Sequence, residues 1–216
     1  MNIESNIKKI KNKAKNAQLI VVTKYQNIDN IKKVYQLGER HFGENKVQDL
    51  MQKKEQLASD IKWHMIGHLQ KNKVKFIAPF IHMIQSVDSI ELLKKINHHA
   101  EQNNRKINCL IQIKIAQEVS KFGFDKDTAH QLFCSNYLTD YPSINICGIM
   151  GMATFTNNKE KIEKEFSIIN KKFNEIKNNN INTLSIGMSN DYEIAINNGS
   201  TIVRIGSAIF GKIKNE

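Results

Sequence analysis

Proline is nearly absent from this sequence: Pro79 and Pro142 are the only two in 216 residues. No Gly/Ser-rich stretch breaks the chain either, so nothing marks a linker and residues 1–216 read as one domain. Cysteine is scarce as well. Its three positions, Cys109, Cys134 and Cys147, are odd in number and lack paired metal-ligand spacing. That argues against a disulfide framework or a thiolate metal site and suits a reducing cytoplasm, the expected location. Cys109 and Cys147 lie in apolar runs and are expected in the core. No apolar run approaches a membrane span. The opening Met-Asn-Ile-Glu-Ser-Asn has no signal-peptide core. A membrane partner is therefore not expected.

What is present is a globular composition, 40% hydrophobic, with a formal net charge of +11. Such a charge raises the prospect of a nucleic-acid partner. Here, however, Lys, Asn and Ile recur everywhere rather than in one patch. Basic residues also alternate with acidic ones, as between Lys159 and Lys177. This is the pattern of a solvated helix face, so no specific nucleic-acid site is expected.

Short β-branched runs alternate with amphipathic stretches. Eight strands are predicted: Leu19–Lys24, His41–Asn45, Ile61–Gly67, Ile81–Val87, Ile107–Ile115, Ile144–Ala153, Thr183–Ser189 and Thr201–Ile205. Several are apolar on both faces, as in parallel strands covered by helices. A first helix, Ile3–Lys15, precedes them. Asn27 is placed to cap a helix presenting Ile28, Ile31, Val34 and Tyr35, with Gly38 ending it. Ser89 caps a second, carrying Ile90, Leu93 and Ile96. Ile162, Phe166, Ile169 and Phe173 share a face of the segment Lys159–Lys177, and a short helix, Asp191–Asn198, stops at Gly199. Eight β-then-α units fit an α/β class fold, a single (β/α)8 TIM barrel with lean loops. The alternative, an open doubly wound sheet, lacks the glycine-rich turn expected after its first strand.

In such a barrel the functional groups stand at the C-terminal ends of the strands. Lys24 ends the first. A lysine closing an apolar strand either snorkels into solvent or, partly desolvated, offers a neutral amine that condenses with an aldehyde. The last two strands end in Ser189-Asn190 and Gly206-Ser207, where barrels often hold a phosphate. The plainer readings are a helix cap for Ser189 and a tight turn for Gly206. Arg204 interrupts the apolar strand Thr-Ile-Val-Arg-Ile-Gly. A buried guanidinium needs an acceptor: either a carboxylate, with Glu44 available, or the ring nitrogen of a bound cofactor. Asn45 either flanks a planar ligand or caps the next helix. His64 has no metal-ligand spacing to the other histidines and reads as a core or supporting residue. Ser120-Lys121-Phe122-Gly123 reads as the loop after strand five; the part played by its lysine, Lys121, is left open. No nucleophile elbow, paired-carboxylate signature or P-loop occurs.

Taken together, Val21-Val22-Thr23-Lys24, Phe42-Gly43-Glu44-Asn45, Trp63-His64-Met65-Ile66-Gly67-His68-Leu69-Gln70-Lys71-Asn72-Lys73, Ser185-Ile186-Gly187-Met188-Ser189-Asn190-Asp191 and Arg204-Ile205-Gly206-Ser207-Ala208-Ile209-Phe210-Gly211 resemble the pyridoxal phosphate homeostasis family. That family is related to the barrel domain of alanine racemase. The resemblance covers nearly the whole chain. It implies that pyridoxal 5′-phosphate is held as a Schiff base on Lys24, with Arg204 facing the ring nitrogen. It further implies that Ser189, Gly206 and Ser207 hold the phosphate and that Asn45 flanks the ring. An arginine does not protonate that nitrogen, so the ring is a weaker electron sink than one facing a carboxylate. Racemisation needs an acid/base group on each face of the substrate carbon. The tyrosine that serves one face in the racemases comes from a second domain, and no such domain is expected after residue 211. The expected role is therefore non-enzymatic. The resemblance implies instead control of the free cofactor and its delivery, with apo pyridoxal-phosphate enzymes as partners; a monomeric chain is expected.

Three other readings remain at this level. A racemase-like enzyme would act on small amino acids. A Schiff-base aldolase would use Lys24 directly and leave Arg204 unexplained. A nucleic-acid binder would show steeply salt-dependent affinity.

Overall fold

A computed structural model describes residues 2–116, 122–134 and 140–211. Eight parallel strands follow one another round a closed barrel. They are β1 (Gln18–Val22), β2 (His41–Glu44), β3 (Lys62–Met65), β4 (Met83–Val87), β5 (Ile107–Gln112), β6 (Ile144–Met150), β7 (Thr183–Ser185) and β8 (Ile202–Ile205). The ring closes between β1 and β8, where Ile20 lies opposite Arg204. Around it run α1 (Ile3–Ala14), α2 (Ile28–Gln36), α3 (Val47–Gln56), α4 (Val74–Ile77), α5 (Ile90–Gln102), α6 (Lys126–Cys134), α7 (Lys159–Ile176), α8 (Tyr192–Asn197) and α9 (Ser207–Phe210).

The period-two alternation of each strand divides the core in two. Leu19, Val21, Phe42, Trp63, Ile111, Val203 and Ile205 face outward into the layer packed against the helices. Ile20, Met83, Leu110, Cys147, Met150 and Ile202 form a smaller cluster inside the barrel. Both sides of each strand are covered, hence the nearly unbroken apolar runs. Cys109 packs in the outer layer and Cys147 in the inner one, both buried free thiols. Asparagine and serine start several helices as the sequence suggests. Asn27 accepts the amide of Asn30 and Ser89 that of Leu92; Asn158, not read as a cap from the sequence, accepts that of Lys161. Gly38 follows α2 at φ +93°, a left-handed turn without steric cost to glycine.

The strands stop earlier than predicted. Lys24 does not close β1 but lies two residues beyond it, and β3, β5, β6 and β7 end at Met65, Gln112, Met150 and Ser185. Single backbone bonds still tie the residues just beyond these ends, such as the amide of Ile66 to the Glu44 carbonyl and that of Ile113 to the Met150 carbonyl. The regular ladder has stopped, however, and such mostly apolar rim residues read as strand from pattern alone. Likewise α8 begins at Tyr192 rather than Asp191. Ser120 and Lys121 lie outside the described residues.

Candidate functional site

A cavity of about 650 Å³ opens at the C-terminal ends of the strands. Lys24, Asn45, Ser189, Arg204, Gly206 and Ser207, distant in sequence, all line it.

Arg204 is 4% exposed and sits on the inward face of β8. Its Nη1 donates to the Ser185 carbonyl at 2.8 Å and to Ser185 Oγ at 2.6 Å, and Nη2 donates to the Gly151 carbonyl at 3.0 Å. The partner is therefore not Glu44, as one sequence reading had it. Backbone oxygens at the ends of β6 and β7 take that place because the barrel brings them round to β8. Burial pulls the guanidinium pKa down to about 10, with Asp191 opposing, so it stays charged at neutral pH.

A hydrogen-bonded chain runs from Arg204 through the barrel. Ser185 Oγ donates to Gln85 Oε1 at 2.7 Å, Gln85 Nε2 lies 3.1 Å from His64 Nδ1, and His64 Nε2 lies 2.9 Å from His41 Nδ1. A guanidinium only donates, so Ser185 Oγ accepts at that end and its own proton is left for Gln85. Ser185 passes its own proton to Gln85, Gln85 turns its amide nitrogen to His64, and His64 carries its proton on Nε2.

Lys24 is half-buried in a turn with Tyr25, whose φ is +63°. Its Nζ lies 5.7 Å from the Tyr25 ring centroid. The turn is held from beneath. Lys53, on the inner face of α3, donates to the Thr23 carbonyl at 2.7 Å and pairs with Glu44 at 2.5 Å, while Thr23 Oγ1 donates to Glu44 at 2.6 Å. Burial raises the Glu44 pKa, and Lys53 and Thr23 oppose it.

Asn45 does not cap α3. The cap position belongs to Lys46, which makes no side-chain capping bond. Asn45 Oδ1 is instead buried without a hydrogen-bond partner among the described residues. The backbone here is tightly fitted, since a Cβ on Gly67 would lie 2.3 Å from the Asn45 carbonyl oxygen. Ser189 does not cap α8 either, a position held by Asp191. Its Oγ accepts the amides of Gly206 and Ala208, each at 3.2 Å. Those two amides thus converge on one oxygen at the cavity wall. Gly206 has little room for a side chain, because a Cβ would approach Val22 to 3.3 Å.

Three features escaped the sequence. The Glu44–Lys53 pair was foreshadowed only by a lysine on the buried stripe Val47-Leu50-Lys53. Glu165, on the inner face of α7, receives both the amide and the hydroxyl of Thr154 at 2.7 Å and so fixes a wall of the cavity. His64, read as lacking metal-ligand company, has His41 and His82 beside it, with ligand atoms within 4.8 Å of one another. Strand pairing and not spacing brings them together.

The alanine racemase N-terminal domain model matches residues 1–214. A pyridoxal phosphate homeostasis protein of Aquifex aeolicus is 34% identical over 202 residues, 92% of this chain and 88% of that protein. This chain belongs to the pyridoxal phosphate homeostasis protein family. The Synechococcus elongatus protein PipY, solved without PLP, superposes with a TM-score of 0.91 at 28% identity, covering 97% of this chain and all of that one. PipY with PLP bound gives 0.87 at 27% identity, with the same coverage. Alanine racemase from Bartonella henselae shares the fold, with a TM-score of 0.75 at 16% identity. It covers 99% of this chain but only 60% of the racemase. No helix among the described residues is long and apolar enough to cross a membrane.

Proposed function

We propose that this chain binds pyridoxal 5′-phosphate, holds it as a Schiff base on Lys24 and serves cofactor homeostasis rather than turnover of a substrate. The observation that carries this reading is the convergence of Lys24, Arg204 and the Ser189–Gly206–Ser207 corner on one cavity. PipY, a homologue with closely similar backbone, has been solved with PLP bound.

The residues present fit the group. Lys24 supplies the amine. Arg204, already held on one side by Ser185 and Gly151, donates to the ring nitrogen without surrendering its proton. Asn45 Oδ1, buried and unpartnered, flanks the ring. The Ser189 and Ser207 hydroxyls suit a phosphate, and Gly206, with no side chain, lets it come close to the backbone. When bound, the cofactor supplies an aldehyde conjugated to an electron-withdrawing ring. A charged arginine in place of a carboxylate weakens that withdrawal. Among the described residues no tyrosine lines the cavity to serve as the second acid/base group of a racemase. Chemistry on an amino acid is accordingly weak. The cofactor is held for release to apo pyridoxal-phosphate enzymes. All six residues named for the site belong to one chain, which supports a monomer with one domain over 1–216; a cytoplasmic location is proposed with it.

The test is the absorption spectrum of the purified protein beside Lys24→Ala. The wild type is expected to show an imine band that Lys24→Ala loses while retaining phosphate-dependent, noncovalent binding. Identical spectra overturn the assignment.

A further inference from the structure

At the opposite end of the barrel from the cofactor cavity, three histidines meet. His41 opens β2, His64 is the third residue of β3, and His82 immediately precedes β4. Their ring centroids are 5.2–5.4 Å apart. One ligand nitrogen from each lies within 4.8 Å of the others. We propose that His41, His64 and His82 form a binding site for Zn²⁺ or a neighbouring late first-row divalent cation.

The donor set suits such an ion. Three imidazoles and one open position make a four-coordinate site with room for water. Tetrahedral ligands at ordinary Zn–N lengths stand about 3.3 Å apart. His41 Nδ1 and His64 Nε2, now 2.9 Å apart, need open by only a few tenths of an ångström. His64 is buried while His41 and His82 are half-exposed, so the cluster faces solvent on one side. Burial keeps all three rings neutral, the form that ligates. Lys62 and Arg105 are the nearby cations. Lys62 is exposed, with its charge in water. Arg105 is turned to the carbonyls of Ala78 and Ile81 at 2.6 and 2.9 Å.

Metal binding has a consequence inside the barrel. His64 must give its Nε2 lone pair to the ion, so its proton moves to Nδ1, which faces Gln85. Gln85 must then turn its amide round, presenting Oε1 to His64 and Nε2 to Ser185. Ser185 Oγ then accepts from both Gln85 and Arg204. The ion is thereby wired to the hydrogen bonds around Arg204, although the metal site itself stands independently of the cofactor reading.

The test uses the full chain without a polyhistidine tag. Added Co²⁺ is expected to give the intense visible spectrum of a four-coordinate ion at one equivalent, displaced by Zn²⁺. His82→Gln and His41→Gln should each weaken binding roughly 100-fold, and His98→Gln, on the exposed face of α5, should leave it unchanged. In ¹⁵N-histidine spectra, Zn²⁺ should move the His64 proton from Nε2 to Nδ1. A Co²⁺ spectrum that remains that of the hydrated ion, tight binding that survives both ligand substitutions, or an unmoved His64 proton overturns the proposal.

Discussion

Replacing Lys53 by methionine isolates the support beneath Lys24. The Glu44 side chain is wholly buried and that of Lys53 is 10% exposed, with 2.5 Å between their charged atoms. Removing one partner of such a pair typically costs about 3–5 kcal/mol, because the other charge is left buried. The carboxyl has an escape, which is to take a proton. For an ordinary glutamate at pH 7 that costs about 3.7 kcal/mol, at 1.36 kcal/mol per pH unit over roughly 2.7 units. The loss is therefore expected near 3–4 kcal/mol, a fall of about 6–16 °C in the melting midpoint for a chain of this length. Its pH dependence follows from Glu44. Burial already places that pKa above the ordinary 4.5, and losing Lys53 raises it further. A raised carboxyl pKa means stability that is present at low pH and lost as pH rises through the folded-state value. The gap between wild type and Lys53→Met should thus be widest at and above neutral pH. It should close as pH falls through the window above 4.5 where Glu44 takes up its proton. The single tryptophan, Trp63, is buried in β3 and reports unfolding by fluorescence. Lys53→Met/Glu44→Gln should recover part of the loss. An unchanged midpoint, or a gap that stays constant down to acid pH, refutes the reasoning.

Other substitutions probe the cavity wall. Gly67→Ala sets a methyl against the Asn45 carbonyl and should cost about 1–3 kcal/mol by overpacking, with weakened cofactor binding, read by thermal unfolding and titration. Ser189→Ala leaves the amides of Gly206 and Ala208 without their shared acceptor. It should destabilise the unliganded protein by about 1–3 kcal/mol, and cofactor or inorganic phosphate should recover more of this loss than it adds to the wild type. Gln85→Leu breaks the link between Arg204 and His64; the absorption band of the loaded protein should shift while the covalent attachment survives borohydride trapping.

The barrel was legible because every strand is covered on both sides and so reads as an apolar run, with capping residues between runs. The site was legible where a residue violated its surroundings. Arg204 in an apolar strand and Lys24 just beyond another announce themselves by the cost of burying charge. Asn45 and Ser189 were legible as positions but not as chemistry. Whether an Asn or Ser caps a helix depends on one or two residues of helix start, and here Lys46 and Asp191 take the caps. The carboxylate that one of the two readings offered Arg204 is not its partner, for a related reason. Backbone oxygens of Ser185 and Gly151 carry no sequence signal, while Glu44, the visible acid, was already engaged by a lysine one helix away. Contacts fixed by barrel closure, such as Gln85 to Ser185 across 100 positions, leave no periodicity to read.

That closure also explains how one residue orders the interior. Arg204 accepts no hydrogen bond, so the Ser185 hydroxyl cannot donate back to it and turns its proton to Gln85 Oε1, which leaves the Gln85 amide nitrogen to face His64 and favours the His64 proton on Nε2. Replacing Arg204 by a residue that both donates and accepts, as in Arg204→Gln, removes this bias. Gln85 could then take either orientation and His64 either tautomer. ¹⁵N-histidine spectra of Arg204→Gln should show His64 as a mixture where the wild type shows the Nε2-protonated form alone. A His64 signal unchanged by the substitution would mean that the direction is set from the His41 end instead, and Arg204 would be a terminus of the chain and not its source.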